Sequence, residues 1–176
     1  MSGDGFASAR LVMRRQRITD AEALFEAYSD PVLMRYWSSA PHASVADSRA
    51  YLDRSDSDWR GWTIERKEDG AVLGTLAAVE IRQGVSEIGY LLIRRYWGHG
   101  YAREGVARLL DRLFHEEGLR RVTADVDPEN AASNALLKDL GFTLEGRLRG
   151  EWETHIGVRD SFIWGLLREE WPRATE

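Results

Sequence analysis

Two glycines lie one residue apart in the stretch "RRYWGHGYARE", between the apolar run "IGYLLI" and a segment with helical spacing of its apolar residues. A strand that leads through a glycine-rich turn into a helix leaves amide N–H groups unpaired at the positive end of the helix dipole, where phosphates bind. Because Gly98 and Gly100 have no Cβ atoms, a phosphate could approach the amides of residues 98–102. The pattern predicts a pyrophosphate site. The alternative is that the glycines only turn the chain or let neighbouring rings pack.

Two common nucleotide-binding loops fit this stretch poorly. The P-loop pattern G-x-x-x-x-G-K-[ST] does not occur in the sequence. A Rossmann fingerprint requires a third glycine where Arg103 stands, and it follows a buried parallel strand. The three strands that we predict before the glycines have an antiparallel pattern instead. These differences disfavour a nucleotide-dependent oxidoreductase.

The elements that must position this loop follow from periodicity and turn residues. "RLVMRR" predicts a strand, and "ITDAEALFEAYSDP" predicts a helix with Thr19 or Asp20 as its N-cap. "DPVLMRYW" predicts a short helical turn, and a second helix is expected to begin at Ser44. "WTIERKEDGAVLGTLAAVEI" predicts two strands joined at Asp69-Gly70, and "SEIGYLLI" predicts the next strand.

The second half of the chain alternates helices and strands. The helix after the glycines is the longest predicted, and Gly118 supplies its end. "RRVTADV" predicts a strand, "NAASNALLKDL" a short helix, and the remaining residues a final antiparallel pair. The predicted order is β, α, α, β, β, β, α, β, α, β, β. We expect one domain over residues 1–176, with frayed ends at 1–9 and 170–176.

Composition limits the classes of function. The chain has 176 residues, 43% of them hydrophobic and 30% charged, as in an ordinary soluble domain. No apolar run is long enough for a membrane helix, and the first residues lack a signal-peptide pattern, so we expect a cytoplasmic protein. The absence of cysteine excludes a cysteinyl intermediate. A net charge of -5 argues against nucleic-acid binding, and a monomer or homodimer is expected.

Three stretches carry a resemblance to a known family. "RYWGHGYA", which begins at Arg95, resembles the R/Q-x-x-G-x-G/A acetyl-coenzyme A signature of the GNAT N-acetyltransferase superfamily. "DPENAASNALLKDLGFTLEGRLR", which begins at Asp127, resembles the second signature of the branch that contains ribosomal-protein N-terminal acetyltransferases, the RimJ/RimL type. "RLVMRR" and "SDPVLMRYW" resemble the opening segment of that branch. The resemblance covers the chain from Arg10 to Leu167.

The resemblance implies an α/β fold with a mixed sheet of about seven strands and about four helices. The sheet would split into a V between the strand before the glycines and the strand after the long helix, with acetyl-coenzyme A lying in the V. Amides at the strand edge would bind the pantetheine arm and the thioester carbonyl. The signature would bind the pyrophosphate. These two sets are Leu91, Leu92 and Ile93, and Arg95, Gly98, His99, Gly100, Tyr101 and Ala102.

The resemblance also places the polar face of the short helix against the cofactor. Asn130 and Ser133 are three residues apart and share that face. The alternatives are that Asn130 is an ordinary N-cap, which is compatible with contacting the cofactor, and that Ser133 faces solvent.

Attack of an amine on a thioester requires a base, donors for the oxyanion and an acid or dipole for the departing thiolate. Our hypothesis is that Leu91–Ile93 amides serve the oxyanion and that Ser133 protonates or hydrogen-bonds the thiolate. Relatives often carry a tyrosine acid near Leu137, so the role of Ser133 is open. Glu87 is the candidate base, and its alternative is a solvated carboxylate at a strand end. Tyr90 falls in the other strand register.

The acceptor is expected to be an amine. Tyr36, Trp37 and Trp152 lie in segments that line the acceptor side in relatives, where aromatic rings could hold a cation, and Glu87 would face the same side. The four histidines lack metal-ligand spacing, so no metal is expected. The leading hypothesis is acetylation of a protein N-terminal α-amine, the close alternative is a small-molecule amine, and the third is a non-catalytic acetyl-coenzyme A sensor.

Overall fold

The computed structural model describes residues 4–53 and 57–172, and its described strands form one eight-stranded mixed sheet. The strands are β1 (Phe6–Ala7), β2 (Leu11–Arg15), β3 (Arg60–Arg66), β4 (Val72–Arg82), β5 (Val85–Leu92), β6 (Arg121–Val126), β7 (Thr143–Thr154) and β8 (Gly157–Leu167). The helices are α1 (Ala21–Tyr28), α2 (Pro31–Met34), α3 (Val45–Leu52), α4 (Tyr101–Asp111) and α5 (Ala131–Asp139). The strand order across the sheet is β1-β2-β3-β4-β5-β6-β8-β7.

The predicted order of elements is confirmed for β2 to β8 and for the helices, and the expected mixed α/β sheet has one strand more than predicted. The extra strand is β1, which pairs antiparallel with β2. The expected fraying of residues 1–9 is therefore wrong for β1, because Phe6 is buried against Trp62. Fraying is also wrong at Trp171, whose Nε1 donates to Asp111 at 2.8 Å. Residues 1–3 and 173–176 lie outside the described residues.

The sheet opens between its two central strands. β5 and β6 pair in parallel only from Val85 to Glu87, opposite Arg121 to Thr123. β5 continues to Leu92 and β6 to Val126, so the two strands separate beyond these pairs. The expected V is thus present between the predicted strands, and its edges present backbone groups with no neighbouring strand. We call this gap the V opening.

Each face of the sheet carries its own core because side chains alternate along a strand. The first core lies under α4 and α5 and includes Trp62, Leu76 and Leu137. The second core lies under α1 and α2, where Leu91 of β5 and Ile93, which directly follows β5, contribute side chains. Neighbouring residues of β5 therefore reach opposite faces, and both faces border the V opening.

Local signals account for most helix ends. Ser44 caps α3 by accepting from the Asp47 amide, and Asp30 caps α2 by accepting from Val32. Asp20 is the N-cap residue of α1, one of the two predicted, but its side chain makes no capping hydrogen bond, because the carboxylate is buried and binds Arg14 and Thr63 instead. In the part of the chain that the structure describes, no helix is long and apolar enough to cross a membrane.

Candidate active site

The glycine loop has the geometry that an anion site needs. Gly98 and Gly100 have φ angles of 77° and 78°, in the left-handed region that side chains disfavour. A Cβ atom at Gly98 would meet no protein atom within 4 Å, so the space beside it is open. Gly100 is the N-cap of α4 and supplies no side-chain cap. Its helix therefore presents first-turn amides at its positive end, an arrangement that attracts anions.

An ion pair flanks this loop. Arg10 donates to the Glu104 carboxylate at 2.6 Å and to the His99 carbonyl at 3.1 Å, and its guanidinium lies 4.5 Å from the centre of the Tyr101 ring. Burial alone would raise the pKa of Glu104, but hydrogen bonds from Ser8 and Arg10 outweigh it and lower the pKa. The acidic side chain in the first turn of α4 is thereby compensated by a cation.

The other residues of the signature differ in where their side chains lie. His99 is exposed and stacks on Tyr101. The side chains of Tyr101 and Ala102 pack into the first core, so these two residues can contact a ligand only through their backbone amides. Arg95 pairs with Glu26 of α1 and lies over the Tyr96 ring. The structure brings Arg10 to the loop and turns Arg95 toward α1.

The edge of β5 offers fewer amides than predicted. The Ile93 amide donates to the Leu73 carbonyl at 2.8 Å, so the expectation that it binds the pantetheine arm is wrong. Because bonding directions alternate along a strand, the Leu91 amide also faces β4. The Leu92 carbonyl accepts from Trp97 Nε1 on the opposite side at 2.8 Å. Leu92 and Tyr90 therefore point their amides into the V opening.

Asn130 and Ser133 reach the same opening from α5, and both line its cavity. Asn130 Oδ1 accepts from the Ser133 amide at 3.2 Å, so Asn130 is the N-cap of the helix. The preceding loop is fixed by Asp127, whose carboxylate accepts from Arg159 at 2.7 Å and from the Glu129 amide at 2.8 Å. These contacts set the position of the Ser133 hydroxyl.

Tyr90 approaches Ser133 from β5. Its Oη lies 2.5 Å from Ser133 Oγ. Burial raises the pKa of Tyr90 to about 12, although the hydrogen bond with Ser133 opposes the shift. The register prediction for Tyr90 is correct, since its ring packs against the first core, and the V opening lets its hydroxyl reach α5.

Two carboxylates meet on the other face of the sheet. Glu87 belongs to the last β5–β6 pair, opposite Thr123, and Asp125 follows two residues later on the same face. Asp125 accepts from Trp152 Nε1 at 2.9 Å and from Ser161 Oγ. Burial, and next the Asp125 charge, raise the pKa of Glu87 above its ordinary value. Glu87 is therefore less acidic than a solvated glutamate.

A cavity of about 510 Å³ joins these groups through the V opening. It contains Glu87 and Asp125 on one side and Tyr90, Asn130 and Ser133 on the other. Aromatic side chains of the α2–β3 region and of β7 also line the cavity, namely Tyr36, Trp37, Trp59 and Trp152. Trp59 and Trp152 are 39% and 47% exposed, so they form an open rim.

The sequence reasoning missed four residues that line the cavity or flank the glycine loop, namely Arg10, Trp59, Tyr90 and Asp125. Asp125 interrupts an apolar strand, and a charge at such a position is a usable signal for a site. Tyr90 and Arg10 carry no such signal, because an alternating strand does not reveal a gap in the sheet or a contact 94 residues away. Among the described residues, no group of three or more His, Asp or Glu side chains is arranged to hold a metal ion.

The arrangement suits transfer between two ligands that enter from opposite faces. One side has an anion loop, free strand amides and a hydroxyl pair. The other has a partly buried carboxylate with a raised pKa and an aromatic rim. A carboxylate of this kind can take a proton from an ammonium ion more readily than a solvated one.

Comparison with known proteins agrees with this geometry. The family described as "Acetyltransferase (GNAT) domain" matches residues 10–143. An uncharacterized N-acetyltransferase, p20 of Bacillus licheniformis, is 34% identical over 92% of this chain and 95% of its own. The putative ribosomal N-acetyltransferase YdaF of Bacillus subtilis is 27% identical over 86% of this chain and 88% of its own.

A solved structure shares the fold along nearly the full length. The crystal structure of a putative acetyltransferase from T. thermophilus gives a TM-score of 0.87 with 26% identity, covering 98% of this chain and 93% of that chain. Because the matched domain spans the glycine loop, the V opening and α5, the chain belongs to the GNAT acetyltransferase family and is an acetyl-coenzyme A-dependent N-acetyltransferase.

Proposed function

We propose that this enzyme acetylates the α-amine at the N-terminus of a protein or peptide, as a member of the RimJ/RimL-type branch. The observation that carries the proposal is the open aromatic rim of Trp59 and Trp152 at the acceptor end of the cavity. An amine attached to a polypeptide must reach Glu87 while the rest of the chain leaves the cavity. Exposed indoles suit such a chain, and a small enclosed substrate would not need them.

Acetyl-coenzyme A supplies the thioester that is attacked. We assign its pyrophosphate to Gly98, Gly100 and the first amides of α4, with Arg10 as a nearby cation. The amides of Leu92 and Tyr90 are the strand groups that can bind the pantetheine arm by strand-like pairing. Asn130 and Ser133 border the same arm from α5.

Glu87 is the proposed base or water-positioning group. Glu87 belongs to the last β5–β6 pair before the V opening, and it lines the cavity. A general base works best when its pKa lies near the operating pH, and the raised pKa of Glu87 moves its carboxylate in that direction. Asp125 adds a second negative charge that favours an ammonium ion before it loses its proton.

A small-molecule amine is the second candidate, and the paired carboxylates Glu87 and Asp125 favour it. Two negative charges on one face of the cavity would suit an acceptor with more than one amino group, such as a polyamine. The retention of Glu87, Ser133 and Tyr90 in one cavity argues against a non-catalytic sensor.

The test is a competition between acceptor classes with acetyl-coenzyme A and the full chain. We would incubate peptides that have free or blocked N-termini, each with and without an internal lysine, beside spermidine and an aminocyclitol. Release of the free thiol gives kcat/KM, and mass spectrometry locates the acetyl group. We expect acetylation only of free α-amines. A kcat/KM for spermidine at least 100-fold above that of every peptide would refute the assignment.

A further inference from the structure

Two hydroxyls, from Tyr90 and Ser133, meet in the cavity from opposite sides of the V opening. We propose that Tyr90 is a positioning residue that donates a hydrogen bond to Ser133 Oγ and thereby aims the Ser133 hydrogen at the leaving sulfur of coenzyme A. The proposal rests on the proposed role of Ser133 at the reacting end of the cavity. It gives a role to a β5 residue that lies outside the family signatures.

The geometry fixes both partners. Tyr90 Oη lies 2.5 Å from Ser133 Oγ and 3.4 Å from the Ser133 carbonyl. The Tyr90 ring packs against the first core, and the Ser133 amide is tied to Asn130 Oδ1 at 3.2 Å. The backbone of β5 and the first turn of α5 are thus both anchored. The hydroxyl pair has little freedom except for the direction of its hydrogens.

That direction follows from the protons available. Each hydroxyl has one hydrogen, so only one of the two can donate across the 2.5 Å contact. If Ser133 donated to Tyr90, its single hydrogen would be used in this contact and could not bond to the sulfur. If Tyr90 donates, the Ser133 hydrogen is free to point into the cavity that both residues line. Burial raises the pKa of Tyr90 to about 12, so its proton is present throughout the neutral range.

The raised pKa also determines what the pair does for the sulfur. A thiol has a pKa of about 8.5, so full proton transfer from Tyr90 at about 12 to a thiolate is unfavourable. When the bond from the amine nitrogen to the acetyl carbon forms and the C–S bond breaks, the electron pair stays on sulfur. The thiolate accepts a hydrogen bond from Ser133 and leaves as an anion. Solvent later protonates the thiolate, and the amine proton departs on the Glu87 side.

The helix alone would not hold the Ser133 hydrogen in this direction. A serine inside a helix tends to donate to the carbonyl three or four residues before it. Leu137, one turn later on α5, is fully buried in the first core, and its side chain has no hydrogen-bond donor. Tyr90 does not compete for this hydrogen, since it donates to Ser133 Oγ; its donation occupies one side of the oxygen and thereby restricts the directions left to the serine hydrogen.

A binding experiment tests this without an acceptor. We would titrate the full chain with coenzyme A and with desulfo-coenzyme A, which lacks the sulfur, by calorimetry at pH 7 and pH 9. In the wild type, the affinity for coenzyme A relative to desulfo-coenzyme A should rise about 10-fold from pH 7 to pH 9 as the thiol ionises, because a hydrogen bond to a charged group is strong. Tyr90→Phe and Ser133→Ala should lose this gain and bind desulfo-coenzyme A as the wild type does.

Tyr96→Phe is the matched control, since Tyr96 packs against both cores and does not line the cavity. It should keep the gain at pH 9. The proposal is overturned if wild-type binding shows no preference for the ionised sulfur, or if Tyr90→Phe keeps that preference in full. Both outcomes are independent of which amine is acetylated.

Turnover gives a second readout once an acceptor is found. We expect Tyr90→Phe to lower kcat about 10-fold with KM for acetyl-coenzyme A unchanged, and to add nothing in the Ser133→Ala background. Equal losses from Tyr90→Phe in both backgrounds would show that the tyrosine acts apart from the serine, and would contradict the proposal. If no amine is acetylated, the proposed acceptor is wrong, while the binding comparison still decides the role of Tyr90.

Discussion

Replacing Gly98 with alanine separates the backbone strain of the glycine loop from its role in binding a phosphate. Gly98 has φ = 77°, and an added Cβ would meet no protein atom within 4 Å. Holding an alanine in the left-handed region costs about 1–2 kcal/mol, and the less flexible unfolded chain returns about 0.4–1 kcal/mol. The net loss of about 1 kcal/mol should lower Tm by about 2–4 °C in a chain of this length.

The effect on binding should be larger and specific. A methyl group in the open space beside the loop occupies the place that we assign to the pyrophosphate. Losing one hydrogen bond between an amide and a charged phosphate costs about 1.5–3 kcal/mol, or about 10- to 150-fold in Kd. We expect Gly98→Ala to weaken coenzyme A binding by this factor in calorimetry. Pantetheine, which has no pyrophosphate, should bind the variant and the wild type equally.

Gly118→Ala provides the matched control. Gly118 follows the far end of the long helix, has φ = 74°, and also has open space at its Cβ position. The strain argument therefore predicts the same loss of Tm, with coenzyme A affinity unchanged. Wild-type affinity of Gly98→Ala for coenzyme A would refute the assignment of the pyrophosphate, and equal weakening by both variants would show that strain alone is responsible.

Three further predictions concern charged groups. Asp125→Asn should move the acid limb of the kcat/KM profile to lower pH, because the Asp125 charge is the second cause, after burial, of the raised pKa of Glu87; an unmoved limb would exclude Glu87 as the titrating base. Glu87→Gln should lower kcat at least 100-fold yet raise Tm at pH 7. The pKa of Glu87 is raised in the folded protein, so its ionised carboxylate destabilises the fold at pH values above the ordinary pKa of glutamate. The difference in Tm should therefore vanish below about pH 4. Asp20→Asn should lower Tm by about 6–12 °C at pH 7, from a loss of about 3 kcal/mol, because it leaves Arg14 without its buried partner at 2.7 Å. That loss should shrink as pH falls through the lowered pKa of Asp20, where hydrogen bonds from Arg14, Thr63 and the backbone outweigh burial; a loss independent of pH would contradict the ion-pair explanation.

Elements with a strong local signal could be predicted from the sequence. Periodicity and turn residues located β2 to β8 and the start of α3 at Ser44, where the structure shows a capping box, and Asp69-Gly70 marked the β3–β4 turn, where Gly70 has φ = 71°. The glycine loop was also found, because its backbone conformation requires glycine whatever surrounds it. Strand β1 was missed because two residues carry no readable period.

The partners of side chains were predicted less well. Asp20 has the position of an N-cap, but its buried carboxylate binds the half-buried Arg14 guanidinium and the Thr63 hydroxyl in place of the helix amides. Arg95 matches the signature, yet its guanidinium forms an ion pair with Glu26 on α1. These outcomes depend on which charges the fold brings close, and sequence spacing does not contain that information.

By itself, the sequence determined the order of the elements, the glycine loop at Gly98 and Gly100, and the family resemblance. Those features depend on local backbone preferences and on residue types at fixed spacing. Only the tertiary structure decided that β5 and β6 separate beyond Glu87, that the Ile93 amide is already used, and that the Tyr90 hydroxyl meets Ser133. The reason is physical: a gap in a sheet is set by packing on both faces, and it lets residues of opposite registers share one cavity.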